Sequence, residues 1–288
     1  FALSIVKKYH YILNIPKNLT ITDSSILNLQ KKKILDEIFD AYYEENNNPK
    51  FIKLIKDFCF KDDKNIKKSI LSLANKLEIR TDKNEYMVSY FEKYYQEDSL
   101  KGYIELYKNI LKENIEALFL EVELQSNYFE QDYEKKILDS IAILKEESSL
   151  DELLARINNV KIPSSPRNSE EETKIARKKI SDILNDLKKL CTYGYEEEII
   201  NDIKKPKVYL EIIFEILEKF FKLLEEYKNT FYCYDFNDIA QMSLKILKDN
   251  QNIREELKYF FKEIMVDEYQ DTSDIQEEFI NLISNHNV

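Results

Sequence analysis

Near the end of the chain, Glu263-Ile264-Met265-Val266 runs into Asp267-Glu268-Tyr269-Gln270-Asp271-Thr272. An apolar run that delivers two adjacent carboxylates is how a phosphate-hydrolysing site holds Mg²⁺ and polarises a water. Asp267 is the candidate Mg²⁺ ligand, acting through the ion's water shell. Glu268 is the second metal-facing carboxylate and the general base toward the attacking water. Mg²⁺ suits so sparse a set, because it takes one or two carboxylates together with phosphate oxygens. An Asp-Glu pair alone means little among 54 acidic residues; the apolar run before it gives it weight.

Such a site also needs a phosphate cradle, usually a GxxxxGK[ST] loop of backbone N–H groups with its lysine. The only glycines are Gly102 and Gly194, each followed by a tyrosine. No such loop is present, so the 288 residues alone are predicted neither to bind ATP tightly nor to turn it over. The chain opens on Phe1-Ala2-Leu3-Ser4-Ile5-Val6, without Met and already in a helical apolar pattern, and reads as a piece of something longer.

The elements that must position the pair are mostly helical. Two glycines and five prolines among 288 residues leave few turn signals, while Leu, Ile, Lys and Glu are abundant. Leu3, Val6 and Ile12-Leu13 fit a first helix ended by Asn14-Ile15-Pro16. Asp23 or a neighbouring serine can cap a second helix, which Asn46-Asn47-Asn48-Pro49 closes. Phe51 to Phe58 and Ile66 to Leu77 suggest two more. Ile104, Tyr107, Leu111, Ile115, Leu118 and Val122 mark a long one from Ser99 to about Glu123. Tyr133 to Leu144 continues the pattern, and Ser149 with Glu152 has capping-box spacing. Lys161 to Glu172 is the clearest loop. Helices then resume with Ala176 to Leu190 and with Leu210 to Tyr227. The one expected strand is Ile264-Met265-Val266, because acidic site residues in α/β folds sit at carboxyl ends of strands.

Composition excludes several classes. Cys59, Cys191 and Cys233 form no close pair and no CxxC, which points to buried free thiols in a reducing cytoplasm. His10 and His286 stand alone, too few for a transition-metal centre. No apolar run approaches the ~20 residues of a membrane span and no signal peptide is evident, so the chain reads as soluble and cytoplasmic. A net charge of −11 means that any nucleic-acid contact must use local patches.

Val266 to Thr272, with Gln276 four residues beyond, resembles motif II of the UvrD/Rep-type superfamily 1 DNA helicases. Upstream, Tyr234-Asp235-Phe236-Asn237-Asp238-Ile239-Ala240 resembles the DFxDL segment that leads back to the ATPase core in those helicases. Two matches at that separation are more specific than either alone. Phe1 to Val6 resembles the helix after motif Ia, with Ala2 where Cys is common. Asn14 to Asp23 resembles the DPxFRIAD segment of the AddA family of bacterial helicase-nuclease proteins. Lys17 and Thr20 depart from that pattern, and Ser273 replaces the Asn common after the motif II Thr. The motifs cover only the two ends; the middle matches by position and helical character.

The resemblance implies a mostly α chain in which a multi-helix subdomain, 1B-like, is inserted into a partial RecA-like α/β P-loop NTPase core. Residues 1–24 and 231–288 would belong to subdomain 1A and residues 25–230 to subdomain 1B. It implies an ATP-dependent DNA helicase that couples hydrolysis to translocation, unwinding and end processing in double-strand break repair, with nuclease activity if AddA-like. ATP and Mg²⁺ would serve the full-length protein, with none expected on this fragment. DNA and an AddB-like protein would be its partners. Gln270, Asp271 and Gln276 would couple the nucleotide site to neighbouring motifs, although Gln276 can equally be an exposed helix residue. A plain UvrD, PcrA or RecB relative is the alternative. So is a helical DNA-binding or protein-docking module without catalysis, or a scaffold whose acidic pair is accidental.

Two basic groups are candidate contacts to duplex phosphates: Lys174, Arg177 and Lys178 on one helical face, and Lys204, Lys205 and Lys207 around Pro206. Either can also be a solvated face. Asp235 and Asp238 read as a helix cap with an early acidic residue. The aromatic run Phe231, Tyr232, Tyr234 and Phe236 reads as packing at a junction rather than base stacking.

Overall fold

The computed structural model describes residues 1–45 and 47–287, without the side chain of Asp271. In chain order the helices are α1 (Ala2–Lys8), α2 (Ser24–Glu45), α3 (Pro49–Phe58), α4 (Lys64–Glu78), α5 (Lys83–Tyr95), α6 (Glu97–Leu124) and α7 (Gln131–Ile141). They continue as α8 (Leu150–Asn159), α9 (Glu171–Leu190), α10 (Glu196–Lys204), α11 (Lys207–Phe231), α12 (Phe236–Asp249), α13 (Gln251–Phe260) and α14 (Asp274–Ile283). The protein is mostly α. None of these helices is long and apolar enough to cross a membrane.

The helix ends follow local chemistry. Asn48 accepts from the backbone N–H groups of Lys50 and Phe51, and Pro49, which has no N–H to lose, occupies the first turn of α3. Ser149 and Glu152 form the capping box of α8. Asp23 accepts from Ser25 N at 2.7 Å, just before α2. The first helix is shorter than its apolar spacing suggests: α1 stops at Lys8, and His10–Ile12 tightens into a 3₁₀ turn. His10 Nδ1 donates to the Ile15 carbonyl at 2.9 Å, and Asn14 takes φ 54°.

The chain divides into two compact units, residues 90–207 and residues 1–89 with 208–288. In the first, α6, α7, α8 and α9 bury Leu111, Leu118, Val122, Ile137, Ile141, Leu154, Ile157 and Ile180 in one apolar cluster. At about 1.5–3 kcal/mol for each large side chain removed from water, this cluster dominates the unit's stability. Tyr107 Oη closes its edge by donating to the Leu190 carbonyl at 2.7 Å.

The second unit holds a cluster built from both ends of the sequence. Ile5, Val6, Tyr9, Ile15 and Leu19 pack with Tyr234, Ile239, Ile246, Leu247, Leu257 and Ile283. In the same unit Phe51 of α3 stacks on Tyr42 of α2 at 4.9 Å and meets Phe39 edge-on at 5.4 Å. Glu211, Glu215 and Tyr209 of α11 bind Lys50, Tyr42 and Asp57 in turn.

The expected strand at Ile264-Met265-Val266 does not form. These residues alternate as a strand would, with Ile264 and Val266 half-buried and Met265 exposed. A strand also needs a neighbour for its N–H and C=O groups. The Ile264 N–H instead donates to the Asn287 carbonyl at 2.8 Å. The only β pairing among the described residues is a parallel bridge between Ile21 and Tyr234, where Thr22 N donates to the Tyr234 carbonyl at 2.8 Å.

Candidate functional site

The acidic pair lies in the connection between α13 and α14. Asn287 fastens that connection twice, through its carbonyl to Ile264 and through its Nδ2, which donates to the Phe261 carbonyl at 2.7 Å. Phe1 braces the same region from the other end of the chain, edge-on to Phe261 at 5.3 Å and to Phe279 at 5.5 Å. Beyond the half-buried Val266, Asp267 and Glu268 both face solvent.

Glu268 takes φ 50° and ψ 50°, the left-handed region that costs a residue with a Cβ about 1–2 kcal/mol. That turn starts the 3₁₀ segment Tyr269–Asp271. Gln270 Nε2 donates to the Glu268 carboxylate. Tyr269 Oη donates to Glu277 at 3.2 Å, and the Glu277 charge raises the Tyr269 phenol above its usual range. Ser273 then caps α14, with Gln276 Oε1 accepting from Ser273 N at 2.9 Å, so Gln276 completes a capping box from an exposed position. The Asp271 side chain, the other expected coupling group, lies outside the described residues.

Asp267 carries no hydrogen bond or ion pair among the described residues, and two neighbouring exposed carboxylates are the hard-oxygen set that Mg²⁺ takes alongside phosphate and water. The donor set therefore fits the ion. No cluster of three or more His, Cys, Asp or Glu side chains accompanies it among the described residues. The remaining ligands of any bound ion would be phosphate and water.

The Tyr234–Ala240 segment is anchored by buried charge. Asp235 caps α12 and forms a capping box with Asp238, as its sequence suggests. Asp238 Oδ1 also accepts from Lys228 Nζ at 2.7 Å; Lys228 reaches Glu78 at 3.3 Å, and Glu78 binds Lys31. Lys31 donates to Asn75 at 3.0 Å as well. From α12, Asn237 and Gln241 donate to the Glu78 carbonyl at 3.1 and 2.6 Å, satisfying the end of α4. Burial raises the Asp238 carboxyl above the ordinary carboxylate range although Lys228 pulls it down. Burial works against the Lys228 charge, but Asp238 and Glu78 outweigh it and hold the ammonium above its usual range.

Sequence reasoning missed this network. Its signal was present: Leu217, Phe220, Leu224 and Lys228 keep the spacing of one buried face, with lysine where an apolar residue belongs.

The basic groups are only partly free. Lys174 pairs with Glu171 at 3.2 Å, and Arg177 donates to the Pro163 and Ile162 carbonyls at 2.7 and 3.2 Å, pinning the loop before α9. Lys178 is exposed and forms no salt bridge. Lys204 is likewise exposed without a salt bridge, whereas Lys205 pairs with Asp202 at 2.5 Å and Lys207 sits 5.9 Å over the Tyr95 ring. Of the aromatic run only Tyr234 is packed, at 2% exposure. Phe231, Tyr232 and Phe236 are exposed, which corrects the expectation that the run as a whole is packed.

Comparison with known proteins bears on these motifs. Three curated relatives, each named as an ATP-dependent helicase/nuclease of the AddA kind, match nearly the whole chain: 25% identity for the protein of Ligilactobacillus salivarius, 26% for that of Clostridium botulinum strain Alaska E43 and 26% for that of Listeria monocytogenes serotype 4b. They cover 99–100% of this chain, which spans only 25–26% of their own length. The family model for the UvrD/REP helicase N-terminal domain matches residues 106–288, more than half of the chain and the part that carries Asp267 and Glu268. The chain therefore belongs to the UvrD/REP helicase N-terminal domain family.

Proposed function

We propose that these residues are one part of an ATP-dependent DNA helicase, within a longer polypeptide of the AddA helicase-nuclease type. Residues 1–24 and 231–288 form part of its RecA-like subdomain 1A, and residues 25–230 are the inserted helical subdomain 1B. The apolar cluster shared by Ile5–Leu19 and Tyr234–Ile283, together with the Ile21–Tyr234 bridge, supports assigning both ends to one body.

The observation that carries the catalytic reading is the exposed Asp267-Glu268 pair, with Glu268 held at positive φ beside Gln270. Asp267 holds Mg²⁺ through the ion's water shell, with Glu268 beside it, and the ion neutralises charge on the β- and γ-phosphates. Glu268 accepts the proton of the water that attacks the γ-phosphate. Gln270, Asp271 and Gln276 relay the state of that site to neighbouring segments. The phosphate cradle comes from the longer polypeptide, so the 288 residues alone do not turn over ATP. Hydrolysis drives translocation and end processing in double-strand break repair in the cytoplasm, beside an AddB-like partner. Lys174, Arg177, Lys178, Lys204, Lys205 and Lys207 contact DNA phosphates, with Lys178 and Lys204 the least encumbered.

In the longer polypeptide Asp267→Asn is expected to raise the Mg²⁺ concentration for half-maximal ATP hydrolysis by about tenfold or more. An unchanged Mg²⁺ dependence contradicts the assignment of Asp267.

A further inference from the structure

The long helix α6 has two apolar faces. One is the core seam of Ile104, Leu111, Ile115, Leu118 and Val122. At 100° per residue the opposite side carries Leu106, Ile110, Glu113, Ala117, Leu120 and Leu124. Their spacing is 4-3-4-3-4, the heptad seam of a helix built to pack against another helix. This second seam is open: Leu106, Ile110, Leu120 and Leu124 are 59%, 40%, 55% and 61% exposed. A continuous apolar stripe about 27 Å long is far more than scattered surface leucines and marks an interaction site.

The seam is symmetric about its own centre. In an antiparallel pair with the two-fold axis at position 115, Leu106 meets Leu124 of a second copy and Ile110 meets Leu120. Glu113 lies over the small Ala117, which leaves room for its stem. Along one flank Lys112 of one copy faces Glu116 of the other, and Glu116 is already held by Lys145 at 3.0 Å. Apolar, steric and charge complementarity thus point to the same occupant, the same helix running the other way. A two-fold contact of this kind must be self-complementary, and this stripe is. We propose that the protein self-associates through the exposed face of α6, forming an antiparallel helix pair between two copies.

A seam of one helix is small beside a standard interface, so the dimer is a weak one, with a Kd on the order of 100 μM. Sedimentation equilibrium of the 288-residue chain should give 34.6 kDa at low concentration and approach twice that mass in the several-hundred-micromolar range. Leu120→Glu should keep it monomeric throughout with an unchanged far-ultraviolet circular dichroism spectrum, since residue 120 faces solvent. Glu113→Leu, which completes the seam, should tighten the dimer by about tenfold or more. A single 34.6 kDa species up to 0.5 mM (roughly five times the expected Kd) would overturn the proposal and leave the seam to another helix of the longer polypeptide. A dimer indifferent to both substitutions would overturn it equally, because it would use another surface.

Discussion

Replacing Lys228 with methionine keeps the aliphatic stem and removes one buried positive charge. The Lys228 side chain is 8% exposed, and its two partners, Asp238 and Glu78, are 21% and 14% exposed. Removing one member of a buried ion pair costs about 3–5 kcal/mol, because the other member keeps its desolvation without its partner. Glu78 keeps Lys31, so the loss falls mainly on Asp238, whose residual exposure places the effect near the low end, about 3 kcal/mol. The pH dependence has a definite sign. Burial already raises the Asp238 carboxyl in the fold, and without Lys228 it rises further, so the folded state binds this proton more tightly than the unfolded chain does. The variant's deficit is therefore full at neutral pH and shrinks as pH falls toward the carboxylate's unfolded value of about 3.9. Urea unfolding at pH 7 and pH 4.5 reads both effects, and adding Asp238→Asn to Lys228→Met should restore at least about 1 kcal/mol at pH 7. A variant within about 1 kcal/mol of the parent at pH 7, or a deficit unchanged at pH 4.5, would refute the reasoning.

Cys191 is buried and its thiol is pushed up to about 11, so at pH 8 it should alkylate far more slowly than the partly exposed Cys233 and react only as the chain opens; equal rates for the two would contradict the packing around α9. Glu268→Gly should leave stability unchanged or raise it by up to about 1 kcal/mol, since glycine adopts positive φ without the Cβ penalty while gaining freedom in the unfolded chain. A loss of more than about 1 kcal/mol in urea unfolding would argue against the left-handed turn.

The helices were legible where apolar residues recur every three or four positions, as in α6, and their ends where a side chain announces the cap, as at Ser149 and Asp235. Helices α5 and α10 were harder to read, because each buries a single residue fully, Met87 and Ile199, and so shows little apolar periodicity. The strand at Ile264 failed for a different reason. Three alternating residues report which side each one faces, but not whether a neighbouring strand exists to pair with them. The motif residues could be named from the sequence alone because Asp267 and Glu268 are adjacent and spaced from Asp235. The Lys31–Glu78–Lys228–Asp238 chain joins residues up to 150 positions apart, and only folding brings them together.

The central claim is that Glu268 takes the proton from the attacking water, and one substitution tests it in the longer polypeptide. Glu268→Gln keeps the size and the hydrogen bonding of the side chain but removes the base. The account predicts a fall of about 10²–10⁴-fold in DNA-stimulated ATP turnover, with nucleotide affinity within a few-fold of the parent's. ATP turnover left intact in that variant would contradict it.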